Sequence, residues 1–158
     1  MSTTCSSNNI SFLGCLPSFR YWGGNCFKFF ERTCTWEEAE SFCRHNTQGI
    51  AALASIGSSA ENRFILSLFN YKKGLNAWIG GTYLTTNRWA WIDGHKWNGY
   101  TNWKRGEPNN WQGNGKATRR ENKIMMYGTG DPAPGTWNDE SDRNPVRQVT
   151  GMICEHRA

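Results

Sequence analysis

Branched aliphatic residues and Phe are scarce in this chain. Leu, Ile, Val and Phe supply 25 of its 158 residues, and Val only two of those. Disordered chains share that poverty but also carry a high net charge, and here the formal net charge is only +5. Nine Trp, five Tyr and six Cys add to the apolar surface, and an aromatic ring buries far more area than an aliphatic side chain. A Trp-rich, cross-linked globule follows. No run of about 18 apolar residues occurs, which excludes a membrane-spanning helix and membrane insertion. No internal period is visible, which excludes collagen-like, coiled-coil and repeat architectures. The length fits one domain and leaves no room for a second.

The six cysteines form no C-x-x-C pair, and His45, His95 and His156 are isolated from them. A structural zinc site takes Cys/His pairs a few residues apart, so disulfides are expected, and with them an oxidising compartment. Asn9-Ile10-Ser11 is a glycosylation sequon in agreement with that setting. Residues 1–5 have neither a basic region nor an apolar core, so either a leader has been removed or the chain is cytosolic. The disulfide reading favours removal and a secreted, extracellular protein. Basic residues are scattered except for Lys116, Arg119 and Arg120, which could meet a sulfate or uronic acid but read first as a solvated loop. A nucleic-acid partner would need a basic stripe and a recognisable module, and neither is present. No Ser or Cys nucleophile has a nearby His, so an enzyme is not expected.

Residues 1–14 are polar and read as an N-terminal arm ahead of a domain over 15–158. Residues 26–30 have strand texture. Thr35-Trp36-Glu37-Glu38 is a capping box, and Trp36, Ala39, Phe42 and Cys43 follow at helical spacing. Ser58-Ser59-Ala60-Glu61 repeats the signal. It opens a second helix with Ala60, Phe64, Ile65, Leu68 and Phe69 on one face and Lys72-Lys73-Gly74 at its end. Residues 77–80, 89–92, 123–127 and 151–154 are apolar runs of strand length. Between them, residues 94–121 form a polar stretch rich in Gly, Asn and Trp, and so long a loop is normally functional. Two helices followed by strands predict an α+β fold.

Five features then occur in order: Cys15 and Cys26, Trp78-Ile79-Gly80-Gly81, Glu107-Pro108-Asn109, Trp137-Asn138-Asp139, and Ile153-Cys154-Glu155. Together they resemble the C-type lectin-like domain, in its long form, over residues 15–155. The resemblance implies a double-loop α+β domain with two helices, short antiparallel sheets and neighbouring termini. It also implies a Cys15–Cys26 hairpin disulfide and a Cys43–Cys154 disulfide from the first helix to the last strand. Cys5 and Cys34 are left over, to pair with each other or between chains. Where the family has a second loop-pinning disulfide, this chain has Lys123 and Asp142, and an ion pair between them is expected.

By the same resemblance, Glu107, Asn109, Glu121, Asn138 and Asp139 are the calcium ligands. Calcium takes six to eight oxygens, and this set offers three carboxylates and two amides. The Glu107–Pro108 peptide is expected to be cis, which is accessible because residue 108 is proline. In the family, two neighbouring sugar hydroxyls complete the calcium shell while donating to carboxylates and accepting from Asn amides. The Glu-Pro-Asn order goes with mannose, N-acetylglucosamine or fucose, and the order Gln-Pro-Asp with galactose. Trp111, followed by Gly113-Asn114-Gly115, is similar to the galactose-binding branch. It is expected here as a stacking wall beside a mannose-type site, the alternatives being a Trp packed under the loop or galactose-type specificity. Residues 83–88 contain no Asp or Glu, so one calcium per domain is expected. The function implied is glycan recognition on microbes or cells, as in innate immunity, with a homodimer or higher oligomer supplying avidity. The competing reading is a lectin-like fold used to bind protein, mineral or ice.

Overall fold

Strands near the two ends of the described chain pair with each other in the sheet. A computed structural model describes residues 14–111, 120–142 and 149–158. Strands β1 (Arg20–Trp22) and β2 (Asn25–Glu31) form a hairpin turning at Gly23-Gly24, both at positive φ, a conformation that glycine adopts without steric cost. β2 pairs antiparallel with the last strand, β8 (Gly151–Arg157), from Asn25↔Arg157 to Glu31↔Gly151. The N–H of Ala158 donates to the carbonyl of Gly24 at 3.0 Å, so the C-terminus lies against the first hairpin.

Helix α1 (Trp36–Asn46) starts at a complete capping box. Thr35 Oγ1 accepts from the Glu38 N–H at 3.2 Å, and Glu38 Oε2 accepts from the Thr35 N–H at 2.9 Å. Its buried face is Trp36, Ala39 and Cys43. The remaining elements are β3 (Ala52–Leu53), α2 (Ser59–Ser67), β4 (Asn76–Tyr83), β5 (Trp89–Trp91), β6 (Lys123–Tyr127) and β7 (Trp137–Glu140). They form one sheet in the order β1-β2-β8-β4-β6-β7, with β3 on β8 and β5 on β4. The β4–β8 contact is parallel and all the other strand pairings are antiparallel. Side chains alternate across this sheet. Ile124, Met126 and Ile153 join one core with α2, while Met125, Met152 and Cys154 join the other with α1. Disulfides Cys15–Cys26 and Cys43–Cys154 are formed.

Several expectations are corrected. The second helix ends at Ser67, short of residues 72–74. Bonds from Leu68 N–H to Ile65 O and from Phe69 N–H to Leu66 O tighten the last turn, and Phe69 then packs on Phe29 with ring centroids 4.8 Å apart. Ala60 is exposed rather than on the buried face. Asn62 is buried there instead, donating to Gly135 O at 2.9 Å and accepting from Trp137 Nε1 at 2.8 Å. Among the described residues Cys34 carries a free thiol, and Cys5, its expected partner within the chain, lies outside them. Burial and the nearby Glu38 carboxylate push that thiol above its ordinary pKa. Cys5 and the sequon at residues 9–11 lie outside the described residues.

Lys123 and Asp142 do not form the expected ion pair with each other, but both converge on the start of α1. Asp142 Oδ1 accepts from the Trp36 N–H at 2.6 Å and so caps the helix. Lys123 Nζ lies 4.0 Å from the centroid of the Trp36 ring and 3.6 Å from Glu37 Oε1. The helix terminus offers Asp142 backbone donors, and the Trp36 face offers Lys123 a desolvated cation–π seat.

Gly80 is fixed by close approach. A Cβ there would lie 2.5 Å from Leu53 O and 3.1 Å from Ala54 O. Gly80→Ala should therefore cost about 1–3 kcal/mol through overpacking, read as a fall of several degrees in the thermal midpoint. An unchanged midpoint would show that β3 and β4 can part freely.

Candidate functional site

An aromatic platform supports the long loop. β5 contributes Trp89 and Trp91, the loop contributes Trp97, Tyr100 and Trp103, and β7 contributes Trp137. Trp97 stacks on Trp91 at 4.7 Å between centroids, Trp103 meets Trp89 at 5.2 Å, and Trp137 takes edge contacts from Trp91, Tyr100 and Trp103 at 5.7–5.8 Å. Such pairs add stability beyond the area they bury. Main-chain bonds from Trp137 N–H to Asn102 O and from Lys104 N–H to Trp137 O, both 2.8 Å, then fix the loop base to β7. Trp78 and Trp91 lie in the core, whereas Trp89 is half-buried and lines a cavity.

The turn over residues 106–111 follows. Gly106 and Asn110 have positive φ, and the Glu107–Pro108 peptide is cis. The turn lies over β7, where Asn138 and Asp139 are 4% and 1% exposed. Asp139 Oδ1 accepts from the Asn109 N–H at 3.0 Å and Oδ2 from the Asn110 N–H at 2.7 Å. The Trp111 N–H is shared between Glu121 Oε2 and Asn109 Oδ1, each at 2.7 Å. One carboxylate thus organises the turn from below and a second from the side. Trp111 is 57% exposed. A cavity of about 200 Å³ opens beside the turn between Trp89, Tyr83, Pro108, Arg120, Glu121 and Asp139.

Four of the five expected ligands are tied to this turn. Asn109, Glu121 and Asp139 meet through its backbone, and Glu107 belongs to it; Asn138 adjoins Asp139 on β7. Glu107, Glu121 and Asp139 surround the turn without drawing to within 4.8 Å of one another as a set; among the described residues, Asp93, His95 and Glu155 do so elsewhere. Burial pushes the Glu121 carboxyl up to about 7; the Trp111 N–H opposes this, and the charges of Asp139, Glu140 and Glu107 add to it. Glu121, Asn138 and Asp139 are buried, Glu107 is half-buried and Asn109 exposed; a partly buried set of oxygen donors with mutually repelling carboxylates suits a hard divalent cation, so these residues fit calcium chemically. Gly113-Asn114-Gly115, Lys116 and Arg119 lie outside the described residues. Sequence reasoning missed the cavity lined by Tyr83 and Arg120 and the Asp93/His95/Glu155 group; the Asp-x-His spacing at residues 93–95 was its only local signal.

Comparison with known proteins agrees with this architecture. The family model described as "Lectin C-type domain" matches residues 32–156. C-type lectin lectoxin-Lio1 of Erythrolamprus poecilogyrus is 40% identical over 98 residues, covering 61% of this chain and 59% of that protein. The chain thus spans somewhat more than half the length of that relative. The cow carbohydrate-recognition domain of CD23, crystallised in the presence of a GlcNAc2Man3 oligosaccharide, superposes with a TM-score of 0.70 at 28% identity, covering 91% of this chain and 96% of that one. Herring type II antifreeze protein superposes equally well, with a TM-score of 0.71 at 27% identity, covering 91% and 99%. With the family match spanning most of the chain and the same fold in these structures, this protein belongs to the C-type lectin domain family.

Proposed function

We propose that this domain is a secreted, calcium-dependent lectin that binds mannose-type glycans (mannose, N-acetylglucosamine or fucose) through two neighbouring sugar hydroxyls. The observation that carries this is the 107–111 turn, which is held down by Asp139 and Glu121 and presents the exposed Trp111 indole on the same rim. Glu107, Asn109, Glu121, Asn138 and Asp139 would hold one calcium ion. When bound, the ion supplies a shell that two sugar hydroxyl oxygens complete. The chain's own residues orient the sugar. Asn109 Oδ1 accepts from the Trp111 N–H and keeps a second lone pair for the ion, so its NH₂ is the group left to donate to a hydroxyl oxygen, while the Glu107 carboxylate accepts from a hydroxyl. Trp111 offers a flat apolar wall for the ring face. The CD23 domain's crystallisation with a mannose-containing oligosaccharide supports the choice of ligand. The two disulfides suit an extracellular setting. A single site of this kind has a Kd of about 1 mM, roughly −4 kcal/mol, so useful avidity comes from a dimer or higher oligomer.

A glycan array run with millimolar calcium and again with chelator tests this. Mannose- or fucose-type signals that vanish with chelator are expected. Galactose-type signals would make Trp111 the dominant determinant, and binding that survives chelation would overturn the calcium role. A blank array in both conditions would favour the second reading, a non-sugar ligand on a lectin fold, as the antifreeze relative's name illustrates. The double variant Glu107→Gln/Asn109→Asp reverses the order of acceptor and donor and should shift preference from mannose to galactose in resin competition. Unchanged mannose binding by that variant would sink the coordination scheme.

A further inference from the structure

The cavity beside the 107–111 turn carries a cation that nothing in the fold uses. Its aromatic lining is Tyr83 and Trp89, whose rings meet edge to face at 5.1 Å between centroids. Glu121 and Asp139 also line it, but they are only 7% and 1% exposed. Both Asp139 oxygens and Glu121 Oε2 accept N–H groups of the turn, so their charge is directed at the turn. Arg120 differs. It is exposed, lines the cavity and lies with its guanidinium 5.9 Å from the centroid of the Tyr83 ring. Among the described residues, no carboxylate pairs with it and no acceptor takes its N–H groups. On the same lining, Asn110 Oδ1 is buried with no hydrogen-bond partner. A buried acceptor without a donor costs free energy that a ligand hydroxyl would recover. A guanidinium presents its donors in a fixed fork that matches the oxygens of a carboxylate or sulfate.

We propose that this cavity is an anion subsite beside the sugar position, in which Arg120 receives a carboxylate or sulfate carried by the glycan and Asn110 Oδ1 accepts from a hydroxyl of the ring that bears it. The inference rests on the reading of the 107–111 turn as the sugar rim. It narrows the ligand class to mannose-type glycans with a sulfate ester or a uronic acid next to the coordinated residue. The cavity holds about 200 Å³, below the about 300–1,000 Å³ of a site for a whole small ligand, so it suits one substituent of a sugar already held at the rim. Pro108 and Asn110 belong to both the turn and the cavity lining, which makes the two positions adjacent. The Tyr83 ring keeps water from one side of the guanidinium, so an ion pair formed there is stronger than at a fully solvated arginine. Arg120 thereby sets specificity, while affinity for the neutral sugar stays with the residues of the turn.

Competition for a mannose resin in millimolar calcium tests the proposal, with methyl α-mannopyranoside, mannose 6-sulfate and a glucuronosyl-mannose disaccharide as competitors of the full chain. At least one anionic competitor should be about 3–10-fold stronger than the neutral one, and which of the two gains identifies sulfate or uronate as the source. The gain should shrink as salt is raised. Arg120→Gln should abolish the gain and leave competition by methyl α-mannopyranoside at the parental level. Arg120→Lys should keep part of it, since the charge stays and the fork is lost. Equal strength of all three competitors would overturn the proposal. So would a gain that survives Arg120→Gln, which would assign it to other basic residues. Arg120 is exposed, so its variants should keep the parental thermal midpoint. The two readings fail differently: retention on the resin without an anionic gain removes the subsite alone, whereas no calcium-dependent retention of the parent removes the sugar rim and the subsite with it.

Discussion

Asp139→Asn should abolish calcium-dependent retention on a mannose resin. The Asp139 side chain is almost fully buried, and each of its oxygens accepts a backbone N–H from the turn above. An amide supplies only one acceptor oxygen and would set an NH₂ against the second N–H. A lost hydrogen bond to a charged acceptor is worth about 1.5–3 kcal/mol, roughly 10–100-fold in affinity, and the site also loses one of its three carboxylates. Calorimetry should show the collapse in calcium binding directly. The thermal midpoint in chelator should change much less than retention does, which separates loss of the site from loss of the fold. Retention at parental strength would remove Asp139 from the ligand set.

The largest effect on stability is expected from Cys43→Ala combined with Cys154→Ala. This disulfide spans a sequence separation of 111 and joins α1 to β8, where both cysteines are fully buried. In the chain-entropy model a loop of that length contributes about 4–5 kcal/mol. For a domain of this size, that is a fall of about 10–20 °C in the thermal midpoint. Removing Cys15–Cys26, with a separation of only 11, should cost less, about 3 kcal/mol. Equal shifts for the two pairs would show that native-state strain or residual unfolded structure, and not loop length, sets their contribution.

Both helix starts were legible in the sequence because capping is local: Thr35 and Ser58 accept from backbone three residues on, whatever the tertiary context. The second helix's end was not, because the burial of Phe69 against Phe29 decides it from a distant strand. The strand at residues 137–140 was visible only as a motif, since its four residues are buried on both faces and show no alternation. The ordered motifs fixed which residues gather at the long loop. They could not reveal that Asp139 holds the turn through backbone donors, which carry no sequence signature. Lys123 and Asp142 show a similar limit. Their opposite charges suggested each other, while a helix terminus and an indole face offered better partners.

The aromatic platform gives the domain an optical gauge of its own state. Eight of the nine tryptophans are buried or half-buried, several of them within 4.7–5.8 Å of another indole, and Trp111 alone is exposed. Emission at the red edge of the spectrum therefore reports the 107–111 rim, and the blue-shifted bulk of the signal reports the packed interior. A saccharide laid on Trp111 would dim or shift the red component alone, whereas unfolding would move the whole band. Occupancy and integrity can thus be followed in one cuvette without a label.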